Sequence, residues 1–157
     1  MDKYTLVVAE KPDAAQRIAE ALDSRGRPER AETNCVPYFL AKRDKPLVIV
    51  SALGHLYTVV QEHGRRSDYP IFDFNWAPRH AAERNAKHIR AWIEAISKLA
   101  QDADSFIDAC DYDIEGAIIG YTLLKYACGN KENVATRMKY STLTKAELEK
   151  SYAEQMP

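Results

Sequence analysis

Three carboxylates, Asp111, Asp113 and Glu115, recur at every second position, and Gly116 follows the last of them. In extended chain, residues two apart point to one side, so the spacing predicts three acidic groups converging on one point. Three negative charges within a few ångströms repel strongly unless a cation or a proton intervenes. Hard oxygen donors with no His or Cys among them suit Mg²⁺ best. The apolar run Phe106-Ile107-Asp108-Ala109-Cys110 leads directly into this triad. The first expectation is therefore a divalent-metal site at the carboxyl end of a buried strand. Acidic residues also gather in loops and at helix starts for turn formation, N-capping and the helix dipole, so the triad alone leaves a structural role open.

The elements around the triad decide what can reach it. Tyr4-Thr5-Leu6-Val7-Val8-Ala9 is short, apolar and rich in β-branched residues, which predicts a buried parallel strand. It ends in Glu10-Lys11-Pro12-Asp13, where Pro12 fits the first turn of a helix. Ala15, Ile18, Ala19 and Leu22 carry that helix at helical spacing, and Arg25-Gly26-Arg27-Pro28 breaks it. Tyr38-Phe39-Leu40 and Pro46-Leu47-Val48-Ile49-Val50 predict two more strands, the second ending in the glycine-containing loop Ser51-Ala52-Leu53-Gly54-His55-Leu56. Gly64, Pro70 and Pro78 among aromatics predict an irregular, packed connection over residues 64–78. A long helix is expected from about Ala81 to Leu99, with Ile89, Trp92, Ile93, Ile96 and Leu99 as its apolar stripe. Ser105 to Cys110 is a strand, Gly116 to Cys128 a helix, and Asn133 to Tyr140 a further strand. Thr144 and Glu147 stand in capping-box spacing at the start of a last helix.

Strands alternating with helices imply an α/β fold with a mostly parallel sheet. Sites in such sheets form beyond the carboxyl ends of the strands. Glu10 and the triad both fall at that level. If their two strands are neighbours, Glu10 faces the acidic cluster.

Composition bounds the rest. The 157 residues fit one domain, 1–157, with a real core. Hydrophobic residues at 46% and charged residues at 29% are ordinary for a globular protein. No apolar run approaches a membrane span, and the start Met1-Asp2-Lys3-Tyr4 leads straight into a strand, so no signal peptide is expected. Cys35, Cys110 and Cys128 are widely spaced and suggest neither a zinc site nor a disulfide framework. A cytoplasmic location follows as the default. A net charge of −1 is not that of a highly basic nucleic-acid binder. Lys11, Arg43, Arg79, Arg137 and Lys139 remain available to a local basic groove.

Val7-Val8-Ala9-Glu10-Lys11-Pro12 together with Asp111-Tyr112-Asp113-Ile114-Glu115-Gly116 resembles the Toprim domain of type IA DNA topoisomerases. Ser51-Ala52-Leu53-Gly54-His55-Leu56-Tyr57 is similar to that family's loop after an internal strand. Arg137-Met138-Lys139-Tyr140-Ser141-Thr142-Leu143-Thr144 is similar to the segment leading out of the domain. The resemblance covers nearly the whole chain. Lys11-Pro12 favours the topoisomerase branch over Toprim primases and nucleases, which usually place a glycine after the first glutamate, and it resembles the topoisomerase III and reverse-gyrase style. Ala14 stands where bacterial topoisomerase I carries a Lys, Ile114 replaces an Arg common in bacterial members, and Ala117 replaces a frequent Glu. These departures point to an archaeal-type enzyme.

The resemblance implies a Rossmann-like Toprim fold and a parent enzyme that changes DNA topology. Its tyrosine attacks a DNA phosphodiester, becomes linked to the 5′ phosphate and frees a 3′ hydroxyl, after which the strand is religated. That tyrosine lies in another domain of the family, and none of the nine here matches its motif. The chain is accordingly expected to be an N-terminal fragment, inactive alone, whose partners are a single-stranded DNA segment and the remaining domains of the parent topoisomerase. The resemblance implies proton transfer by Glu10, a phosphate contact by Lys11, and Mg²⁺ on Asp111 and Asp113 with Glu115 as a third or water-mediated ligand. It implies DNA contacts by His55, Arg137, Ser141 and Thr144. Two alternatives stand beside it: a stand-alone Toprim nuclease using metal-activated water, and a non-catalytic phosphate-binding α/β module. A dehalogenase-type phosphatase would need its acidic pair after the first strand, where Glu10-Lys11 stands.

Overall fold

The computed structural model describes residues 3–61, 74–83 and 87–157. In chain order the elements are β1 (Tyr4–Ala9), α1 (Pro12–Leu22), β2 (Glu29–Thr33), β3 (Val36–Ala41), β4 (Leu47–Ser51), β5 (Tyr57–Gln61) and β6 (Phe74–Pro78). They continue with α2 (Arg79–Ala82), α3 (Lys87–Gln101), β7 (Ala103–Asp108), α4 (Ile114–Thr122), β8 (Thr136–Arg137) and α5 (Lys145–Ala153). A π-helical turn, Leu123–Ala127, extends α4.

The main sheet runs β2-β3-β4-β1-β7-β8. Strands β4, β1, β7 and β8 are parallel, while β3 and β2 add an antiparallel edge. This is the expected α/β architecture with a mixed, mostly parallel sheet. Every residue of β1 is buried, because helices cover both faces and leave no polar side to the strand. The pleat sends Leu6 and Val8 into one core with Val48, Ile89, Ile96 and Ile119. It sends Val7 and Ala9 into the other with Ile18, Leu22, Ile49 and Leu148. Each such aliphatic side chain contributes roughly 1.5–3 kcal/mol when fully buried, so the strand that carries Glu10 at its end is firmly anchored.

Helix α1 starts at Pro12, as expected, and buries Ala15, Ile18, Ala19 and Leu22. It stops at Asp23, whose carboxylate accepts the N–H groups of Arg25 at 2.8 Å, Lys42 at 2.9 Å and Arg27 at 3.3 Å. Helix α5 is capped by Thr144, whose hydroxyl accepts from the N–H of Glu147.

Three expectations are corrected, and one strand stands where none was expected. Residues 29–33 form a strand, β2, turning into β3 through Asn34 and Cys35 at φ 52° and 62°, the left-handed pair that a tight hairpin needs. Residues 74–78 form a strand against β5 rather than an irregular connection; residues 64–73 of that expectation lie outside the described residues. The long helix from Ala81 is divided: α2 ends at Ala82, Glu83 is extended, and α3 spans Lys87–Gln101. The strand expected over 133–140 shrinks to Thr136–Arg137, since Val134 and Ala135 turn back onto the carbonyl of Lys131. Among the described residues, no helix is long and apolar enough to cross a membrane.

Candidate active site

Strands β1 and β7 are parallel neighbours with Val8 opposite Asp108, and the N–H of Ala109 donates to Val8 O at 2.8 Å. The chain leaves both strands at the same edge of the sheet. Glu10 and Asp111 therefore meet, although a hundred residues separate them. Glu10 is 7% exposed, and its Oε2 is buried with no hydrogen-bond partner among the described residues. Burial pushes the Glu10 carboxyl up. The Asp111 carboxyl beside it pushes further, through its charge and hydrogen bonding; Lys11 opposes this and Asp113 adds to it.

The rest of the acidic motif is shaped by the helix that follows. Asp113 is extended, at φ −141°, and is the N-cap of α4; its Oδ1 accepts the N–H of Gly116 at 2.6 Å. Helix geometry begins at Ile114, so the extended spacing that would make three carboxylates converge ends at Asp113. Glu115 lies in the first helical turn with its side chain 77% exposed, Oε1 standing 3.6 Å from Nε2 of His55. Among the described residues, no three His, Cys, Asp or Glu side chains form a ready metal-binding group. Gly116 does admit close approach: a Cβ there would lie 2.0 Å from the carbonyl oxygen of Asp111.

Lys11 is exposed at the N-cap position of α1, next to Glu10. His55 is brought to the same edge by the loop after β4, where the N–H of Gly54 donates to Glu10 O at 3.2 Å and Arg79 holds the His55 carbonyl at 2.9 Å. Ser141 lines a cleft of about 440 Å³ with Asp111, Asp113, Tyr112, Tyr140 and Arg17. Its N–H and hydroxyl also donate to Glu147 at 3.3 and 3.2 Å. Thr144 serves as the α5 cap and is outside that cleft.

Arg137, expected as a DNA contact, also has a partner within the protein. Its guanidinium is turned inward, with the side chain 17% exposed, and pairs with the buried Asp108. Burial pushes the Asp108 carboxyl up and the Arg137 charge opposes this. Asp108 was legible only as an ionisable residue inside an apolar strand, which is rare unless the residue is paired. Arg17 and Tyr140 carried no local signal. Tyr140 reaches the site by donating its hydroxyl to Ala109 O at 2.6 Å, and burial pushes its pKa up.

The Toprim domain profile matches residues 5–143. DNA topoisomerase 1 of Pyrococcus horikoshii is 47% identical over 144 residues, covering 91% of this chain and 21% of the relative. DNA topoisomerase 1 of Pyrococcus furiosus is 45% identical over 148 residues, covering 94% and 14%. That of Methanocaldococcus jannaschii is 40% identical over 149 residues, covering 94% and 19%. The chain thus spans between 14% and 21% of the length of these relatives. A parallel β1–β7 pair carrying Glu10 and Asp111 at one edge, within a match running from residue 5 to residue 143, establishes that the chain belongs to the Toprim domain family.

Proposed function

We propose that this chain, residues 1–157 as a single domain, is the Toprim portion of a type IA DNA topoisomerase and supplies the acid–base and metal-binding half of a reversible transesterification. The observation that carries the reading is Glu10: a buried carboxyl with an orphaned oxygen, raised by burial and by Asp111. A carboxyl raised in this way suits proton delivery. Glu10 donates to the 3′ oxygen as the strand is cut and takes the proton back on religation. The attacking tyrosine comes from the remaining domains of the parent enzyme, so this chain alone is inactive.

Crowded carboxyls with an unsatisfied oxygen fit a hard cation that keeps most of its waters and accepts few protein ligands. Asp111 and Asp113 would hold Mg²⁺, with Glu115 as a third or water-mediated ligand. When bound there, the ion would offset phosphate charge rather than generate a nucleophile. Lys11 adds a charge at the scissile phosphate. His55 and Ser141, both at the site edge, contact the single strand, and Thr144 meets its backbone at the start of α5. A cytoplasmic setting completes the reading.

The test is Glu10→Gln in the enzyme that carries this chain. Cleavage is expected to fall by roughly 10²–10⁴-fold while single-strand binding stays; retained cleavage rejects the role. Mg²⁺-dependent degradation of single-stranded DNA by this chain alone would instead favour a nuclease.

A further inference from the structure

We infer that Asp108 and Arg137 form a positioning pair that fixes the Asp111 peptide and so aims its carboxylate at Glu10. The inference rests on the metal and acid–base reading of that edge for its purpose, and on geometry alone for its existence.

The pair grips the turn from two sides. Asp108 Oδ1 accepts the N–H of Cys110 at 3.0 Å, and its Oδ2 takes one arm of Arg137. The other arm donates to Asp111 O at 2.8 Å and to Cys110 O at 3.4 Å. Three backbone groups, Cys110 N–H, Cys110 O and Asp111 O, are thereby tied to one ion pair. The Asp111 carbonyl is wedged from its far side by Gly116, where any Cβ would collide with it. Helix α4 also passes directly over Asp108, since a Cβ at Gly120 would lie 2.2 Å from Oδ2.

Arg137 is itself braced. Its N–H donates to Met156 O at 2.7 Å, and the N–H of Met156 donates back at 2.9 Å. Strand β8, only two residues long, pairs with β7 on its other side. These contacts fix the backbone of β8 and set the Arg137 guanidinium beside the acidic turn. A rigid planar fork holds a carboxylate and two carbonyls in one fixed geometry, which a compact ammonium does not reproduce.

The experiment uses Arg137→Lys in the 157-residue chain, with Asp108→Asn as a second variant and Arg43→Lys as a control. Arg43 is a remote, partly buried arginine paired with Glu149. Amide hydrogen exchange at Cys110, Asp113 and Gly116 is expected to speed by about tenfold or more in Arg137→Lys, the loss of one charge-assisted hydrogen bond, with exchange elsewhere unchanged. Mn²⁺ affinity should fall by roughly 10–100-fold, as for a lost outer-shell partner. Arg43→Lys should lower thermal stability and change neither readout. Unchanged exchange at those three amides in a folded Arg137→Lys overturns the positioning role. If the parent chain takes up no Mn²⁺, the metal reading falls, and the exchange result still decides whether the pair positions the turn.

Discussion

Glu10 and Asp23 sit at opposite ends of the same helix, α1, and both are buried carboxylates, 7% and 2% exposed. Their surroundings are opposite. Asp23 accepts three backbone N–H groups and faces Arg25, and those bonds hold its carboxyl far below the usual range despite burial. Glu10 has an oxygen with no partner among the described residues and a second carboxylate beside it, and its carboxyl is raised. The N-terminus of α1 would favour an anion at Glu10; burial and Asp111 outweigh that. Two acids of equal burial are thus told apart by their partners: one is satisfied and organises a loop, the other is left unsatisfied where chemistry is expected.

The largest expected effect is on the Glu10 side, where Glu10→Gln should cost the parent enzyme roughly 10²–10⁴-fold in cleavage without unfolding the domain. Next comes Asp23→Ala, which strands the N–H groups of Arg25, Arg27 and Lys42 and should cost about 3 kcal/mol in denaturant unfolding. The pH dependence of the two variants should run in opposite senses. Asp23 is lowered on folding, so its stabilisation is present above its unfolded value, near pKa ~3.9, and is lost as pH falls through its folded value. Its variant's deficit should therefore shrink in acid. Glu10 is raised on folding, so its charged form is a liability that grows as pH rises through its folded value. Glu10→Gln should be more stable than the parent at neutral pH and equal to it below about pH 4. Matching pH profiles for the two variants would break the comparison. A smaller effect is expected of Gly116→Ala, where the new Cβ meets the Asp111 carbonyl. It should lose about 1–3 kcal/mol of stability and also disturb the Glu10–Asp111 contact.

What the sequence disclosed follows the same line between satisfied interior and functional edge. Strands β1, β4 and β7 and helices α1 and α5 were readable because each buries a dense apolar run or a capped, periodic face. Strand β2, Glu29-Arg30-Ala31-Glu32-Thr33, was not, since as a mostly exposed edge strand it has no apolar alternation to show. The meeting of Glu10 with Asp111 was legible from strand endings alone. The convergence of Glu115 was misjudged because Asp113 caps a helix, and an Asp followed by a glutamate in the first turn is itself a helix-start signal. The Asp108–Arg137 pair was hidden, because twenty-nine residues separate its members and no local pattern announces a long-range ion pair.

The central claim is that Glu10 and the Asp111–Asp113 turn form one cation-seeking pocket. Following the backbone amides of residues 9–12 and 110–116 by NMR during Mg²⁺ titration tests it most directly. Both segments should shift together along a single binding curve, and Asp111→Asn should abolish the response in both. No response in either, or a response confined to one, would contradict it.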